Sequence, residues 1–155
     1  MNIDSLIDLL RPMSHDVEKR PLEDGSYWMI TFPAAADADY SFCACLYEDG
    51  EATLSARRAG AGEDEYFWSI SLEAPDFDST EEIGQYVVDT VSRLLRHDTR
   101  IIQSKGLINV GFECAYADDD GWHSVGGNAA LRFSNFVFPR IAGKQKAYRA
   151  SAIVR

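Results

Sequence analysis

Tyr40–Tyr47 (YSFCACLY), the turn Glu48-Asp49-Gly50 and the return stretch Glu51–Arg58 (EATLSARR) decide how this chain folds. The first stretch is rich in aromatic and other apolar residues, and it stops at two acids and a glycine that supply the φ > 0 chemistry of a hairpin turn. The pattern predicts two antiparallel strands joined by a short loop. Tyr27–Phe32, closed by Pro33, reads as a strand before them, with Ala34–Asp39 as spacer. After a further turn at Gly60-Ala61-Gly62-Glu63-Asp64, Tyr66–Leu72 alternates. Tyr66, Trp68, Ile70 and Leu72 are expected on one face, and Ser69, Ser71 and Glu73 on the other. Connections this short exclude parallel crossovers, so the four strands form a meander.

Helical spacing appears on either side of this sheet. Ile3, Leu6, Ile7 and Leu10 fall on one face, with Asn2 as cap and Pro12 stopping the helix near Arg11. Pro75 ends the strand run, and Ser79-Thr80-Glu81-Glu82 matches a capping box. The long helix that follows buries Ile83, Val87, Val88, Val91, Leu94 and Leu95. Its acids at the start and Arg93, Arg96 and His97 at the end suit the macrodipole. Gly84 within it predicts close packing against the sheet. Leu107–Tyr116 then alternates, Asp118-Asp119-Asp120-Gly121 turns the chain, and Trp122 opens a return strand. Gly126-Gly127 reads as a loop, Asn128 as the cap of a short helix through Asn135, and Ala147–Val154 as a last strand. Phe133, Phe136 and Phe138 fit helix and strand equally. The expectation is one α+β domain over residues 1–155: an antiparallel meander packed against one long helix and a short N-terminal helix, in two layers.

Composition bounds the function. The 155 residues are 46% hydrophobic and 26% charged, an ordinary globular balance. No apolar run approaches the ~18 residues that span a bilayer, and the N-terminus carries early acids instead of a basic secretory segment. A cytoplasmic protein without a membrane partner is expected. The three cysteines agree, because Cys43 and Cys45 lie two apart on one strand and are poorly placed to bridge.

Charge is unevenly distributed. All 25 carboxylates lie within residues 1–120 beside nine of the 15 Lys and Arg, a net of −16, whereas the segment 121–155 carries six cations and no acid. The sum of −10 disfavours phosphate backbones and favours basic partners. Arg132, Arg140 and Arg149 alternate with aromatics in a way that would suit nucleic acid. Pairing of the tail with the acidic body, and burial of its phenylalanines, explain the same composition.

Asp118, Asp119, Asp120, Trp122 and His123 form the densest chemical cluster. Three consecutive acids cannot all face one ion as a calcium loop requires, so a solvated turn is expected and no metal. Cys43, Cys45 and Cys114 offer three sulfurs and no evident fourth zinc ligand. His123-Ser124 and His97-Asp98 are neighbours in sequence only. Nucleophile-elbow and phosphate-loop glycine patterns are absent, so no cofactor is expected. With no catalytic set complete, the function expected is a non-catalytic acidic protein that binds a basic protein, like a small bacterial toxin-neutralising (immunity-like) or chaperone-like factor. Its binding residues would be Asp118, Asp119, Asp120, Trp122, His123, Arg132 and Arg140. The alternative is a small hydrolase using the 118–124 loop with Arg132 or Arg140 receiving an anionic group. Uncovered strand edges leave a homodimer open.

Overall fold

The computed structural model describes residues 2–59, 66–73, 76–105, 110–127 and 145–153. The expected turn at Gly60–Asp64, Pro75, the expected 128–135 helix, Phe133, Phe136, Phe138, Arg132 and Arg140 lie outside them. Among the described residues the fold is α+β, with two helices and nine strands arranged in two antiparallel sheets. No described helix is long and apolar enough to cross a membrane.

Helix α1 (Ile3–Leu10) starts where Asn2 Oδ1 accepts the Ser5 amide at 2.8 Å, and it buries Leu6, Ile7 and Leu10. The backbone then tightens into a 3-10 turn, Arg11–Met13, around Pro12. Five strands follow in sequence order as a meander: β1 (Asp16–Leu22), β2 (Gly25–Thr31), β3 (Tyr40–Tyr47), β4 (Ala52–Arg58) and β5 (Tyr66–Leu72). Four were expected. The addition, β1, is an edge strand carrying Asp16, Glu18, Lys19, Arg20 and Pro21, residues that discourage pairing by another chain and hide the usual strand signature.

Register sets the two faces of this sheet. Ile30 pairs with Ala44, and Phe42 with Ala56. Together with Tyr40, Leu46, Leu54, Trp68 and Leu72 they form the buried inner face. The β3–β4 turn closes as expected: the Gly50 amide donates to Tyr47 O at 3.0 Å and the Glu51 amide to Asp49 Oδ1 at 3.1 Å. One expectation fails at β5. A bulge at Ala56/Arg57 pairs Tyr66 with Arg57, so Tyr66 goes to the outer face and Phe67 joins the core against Tyr40, Phe112 and Tyr148.

Helix α2 (Thr80–Arg96) buries Ile83, Gly84, Val87, Val91, Leu94 and Leu95 against that inner face, with Val88 half-buried. Ser79 Oγ accepts the Glu82 amide at 3.2 Å, while Glu82 caps the Asp78 amide at 2.9 Å, one residue ahead of the reciprocal partner a capping box predicts. Next come β6 (Thr99–Lys105), β7 (Val110–Asp118), β8 (Gly121–Gly127) and β9 (Gln145–Ala150), in the sheet order β8-β7-β6-β9. They form a second sheet where a hairpin completing the first layer was expected. The addition is β6, which pairs with both β7 and β9.

The sheets meet through one core that includes Tyr40, Phe42, Trp68, Ile101, Cys114 and Tyr148. Tyr40 Oη and Thr99 Oγ1 share a buried hydrogen bond of 2.7 Å, and Trp68 Nε1 donates to Gly126 O at 3.1 Å. The end of the chain is held by carboxylates: Asp39 Oδ2 accepts the Arg149 amide, and Asp98 Oδ1 the Ala152 amide.

Gly50 sits at φ 91°, and a Cβ added there would lie 2.4 Å from Thr80 Cγ2. Gly50→Ala is expected to destabilise by about 1–2 kcal/mol through its backbone conformation alone, with the contact adding to it. Urea unfolding checks this, and Thr80→Ser in the same chain should recover part of the loss.

Candidate functional site

Two surfaces concentrate polar chemistry. The first lies where α2 ends beside the β7–β8 hairpin. Asp118 pairs with Gly121, whose φ of 121° lets a two-residue turn of Asp119 and Asp120 close the hairpin. Asp119 and Asp120 stay exposed at its tip. Asp118 Oδ1 accepts the Asp120 amide at 2.9 Å and lies 2.7 Å from His123 Nε2. Desolvation is the largest single influence on the Asp118 carboxyl and pushes it up. The Asp120 amide bond, the His123 bond and the charges of His123 and His97 outweigh it and hold the group below the ordinary carboxylate range. Ionised Asp118 can only accept, so the bond is donated by His123 Nε2–H.

Tyr116 joins this pair to the helix. Its ring stacks on His123 with centroids 5.4 Å apart and tilts against His97 at 5.5 Å. Arg93 Nη1 donates to its hydroxyl at 3.4 Å. Thus an acid, two imidazoles, a phenol and a guanidinium come together on an open surface, with the His123 side chain 41% exposed. No described group of three His, Cys, Asp or Glu residues is arranged to hold a metal.

Of the residues singled out from sequence, Asp118 and His123 are brought together. Trp122 is not with them. It pairs with Ala117 while His123 pairs with Tyr116, so the two rings occupy opposite faces of the sheet. Trp122 is 44% exposed and carries the Arg100 guanidinium 4.1 Å above its ring. Ser124, opposite Ala115, is also on the face away from His123. Asp98 serves the chain end instead of His97. Arg132 and Arg140 lie outside the described residues, and Arg93 supplies the guanidinium at this site. Sequence reasoning missed Arg93 and Tyr116 as site residues. The basic last turn of α2 and the alternation of β7 were visible, but their meeting is tertiary.

The second surface is the end of the first sheet where three segments turn. Glu23 and Asp24 form the β1–β2 turn, Glu48, Asp49 and Glu51 the β3–β4 turn, and Glu73 follows β5. Gly50 touches Thr80, which brings Asp78, Glu81 and Glu82 to the same end. The acids act on one another. Partial burial, then the charges of Asp49 and Glu73, raise the Glu51 carboxyl. Glu48 is lowered by a hydrogen bond from Ser26 and by Lys19, whose Nζ lies 3.3 Å away.

No protein-family model, curated protein or solved structure matches the chain.

Because the folded Asp118 carboxyl is depressed, its stabilising effect is complete above the unfolded value near ~3.9 and is lost as pH falls through the lower folded value. Asp118→Asn should therefore melt below the parent protein at neutral pH, and the two melting temperatures should converge as pH is lowered beneath about 4. A gap that persists in acid would mean that the carboxylate charge is not what stabilises the turn.

Proposed function

We propose that this chain is a non-catalytic cytoplasmic binding protein whose acidic end takes a basic protein partner, in the manner of a toxin-neutralising or chaperone-like factor. The observation that carries this reading is the convergence of carboxylates from separate segments, Glu23, Asp24, Glu48, Asp49, Glu51, Glu73, Asp78, Glu81 and Glu82, on one end of the molecule. Like charges held together raise one another's energy. A cationic partner relieves that repulsion, accelerates encounter by steering and gains specificity against acidic competitors.

A second reading, a small hydrolase using the 118–124 loop with an arginine for an anionic group, draws on the Asp118–His123 bond and the nearby Arg93. It has less support. Hydrolysis by a Ser nucleophile needs the hydroxyl within reach of the imidazole, and Ser124 points to the opposite face. The Asp–His pair also lies on an open hairpin, where water would weaken its electrostatics.

Capture from the native host's extract at low and high salt tests the binding reading, alongside a synthetic Lys/Arg-rich peptide as a defined probe. Replacing Glu23, Glu48, Glu51 and Glu73 by Gln should weaken capture about tenfold, since four charges on one end would no longer attract the cationic partner. Neutralising Asp4, Asp8, Asp16 and Asp89 changes the net charge equally and should have little effect. Equal losses from the two sets would show that only net charge matters and would remove the case for a site.

A further inference from the structure

Three sulfur side chains occupy adjoining positions on the outer face of the first sheet. Met29 pairs directly with Cys45 across β2 and β3, and Cys43 follows two residues along on the same face. All three are buried, at 5%, 9% and 5% exposure respectively. Tyr66, sent to this face by the β4–β5 bulge, donates from its hydroxyl to Met29 Sδ at 3.7 Å. Beside it lies a cavity with space for roughly one water-sized occupant, bordered by Met29, Thr31, Ser41, Phe42, Cys43, Arg57 and Tyr66, with Cys45 just outside this lining as the cross-strand partner of Met29. Its lining contains thiol, thioether, hydroxyl and guanidinium groups and no carboxylate.

We propose that Met29, Cys43 and Cys45 form a three-sulfur binding site for a soft monovalent cation, Cu(I). Thiolate and thioether are the ligands that select Cu(I), whereas structural zinc takes four ligands in a tetrahedron. Geometry allows it. Cβ atoms of a cross-strand pair are about 5 Å apart and those at i and i+2 about 7 Å, so C–S bonds leaning inward can converge on one ion. Binding displaces one proton from each thiol to solvent and leaves a complex of net charge −1. Burial raises both thiols and opposes that loss, Arg20 beside both and Arg57 beside Cys43 offset part of it, and the copper–sulfur bonds supply the rest.

Other uses of the cysteines fit less well. Burial, with the neighbouring Cys45, pushes the Cys43 thiol up to about 12, so it is no ready nucleophile. A disulfide between positions i and i+2 of one strand would distort the backbone. Cys114, the third thiol of the chain, sits in the core opposite Ile101 on the second sheet and takes no part.

The site is separate from the acidic end, so capture of a basic partner neither requires nor reports it. The test is an anaerobic titration of the reduced full chain with Cu(I) buffered by bathocuproine disulfonate, with Zn(II) titrated in parallel. The expected result is one Cu(I) withdrawn per chain, with an ultraviolet thiolate-to-copper charge-transfer band and preference over Zn(II). Cys43→Ser and Cys45→Ser should each lower affinity about a hundredfold and Met29→Leu about tenfold, with Cys114→Ser unchanged. Circular dichroism establishes that each variant is folded. If the serine variants do not fold, Met29→Leu decides, because Leu conserves volume and an unaltered affinity would refute the three-sulfur site. Failure to withdraw Cu(I), binding that survives loss of Cys43 and Cys45, loss that follows Cys114 instead, or equal affinity for Zn(II) would each overturn the proposal.

Discussion

The structure depends on large aromatic side chains that fill the seam between two sheets while their polar ends find partners there. Tyr40 and Trp68 are each only 1% exposed. Burying ~150–250 Å² of such a ring at about 25 cal/mol per Å² contributes about 4–6 kcal/mol, an upper figure because unfolded chains are partly compact. An orphaned hydroxyl or indole N–H would take back about 1–3 kcal/mol. Each finds its partner across the seam, Tyr40 at Thr99 and Trp68 at Gly126 O. Apolar area supplies the energy, and these two bonds fix how the sheets are aligned. Burial pushes the Tyr40 phenol far up, which keeps it protonated and able to bond.

Strong local signals were legible in the sequence. The β3–β4 hairpin, the Asn2 and Ser79 caps and the stripe of α2 all follow from residue types at fixed spacing. The missed strands had weak signals for physical reasons. β1 is a mostly exposed edge, so DVEKRPL has no apolar alternation to read. β6 alternates only briefly, and its place between β7 and β9 is decided by partners distant in sequence. At the candidate site, Asp118 and His123 could be paired because a two-residue turn sets them side by side. Their link through Tyr116 to Arg93 and His97 needed the packing of α2 against the second sheet, which no local pattern encodes.

Strand alternation separates groups that are adjacent in sequence, and a single bulge exchanges them. Trp122 and His123 diverge because neighbouring strand residues face opposite ways. The extra residue at the β4–β5 bulge sends Phe67 inward to complete the aromatic core and Tyr66 outward to cover Met29. One local irregularity therefore shapes both the seam and the outer sulfur-lined face. A reading that assumes perfect alternation places Tyr66 wrongly, and with it the chemistry of that face.

The last strand has a consequence for biosynthesis. β9 reaches back across the 39 residues that separate it from β6, buries Tyr148 and donates the Arg149 amide to Asp39. A nascent chain can complete every pairing of the meander, and α2 can cover much of its inner face, before β9 is made, yet Phe67 lacks its Tyr148 neighbour until then. Assembly thus proceeds from the N-terminal end, and the interval before closure is when the chain is most exposed to aggregation.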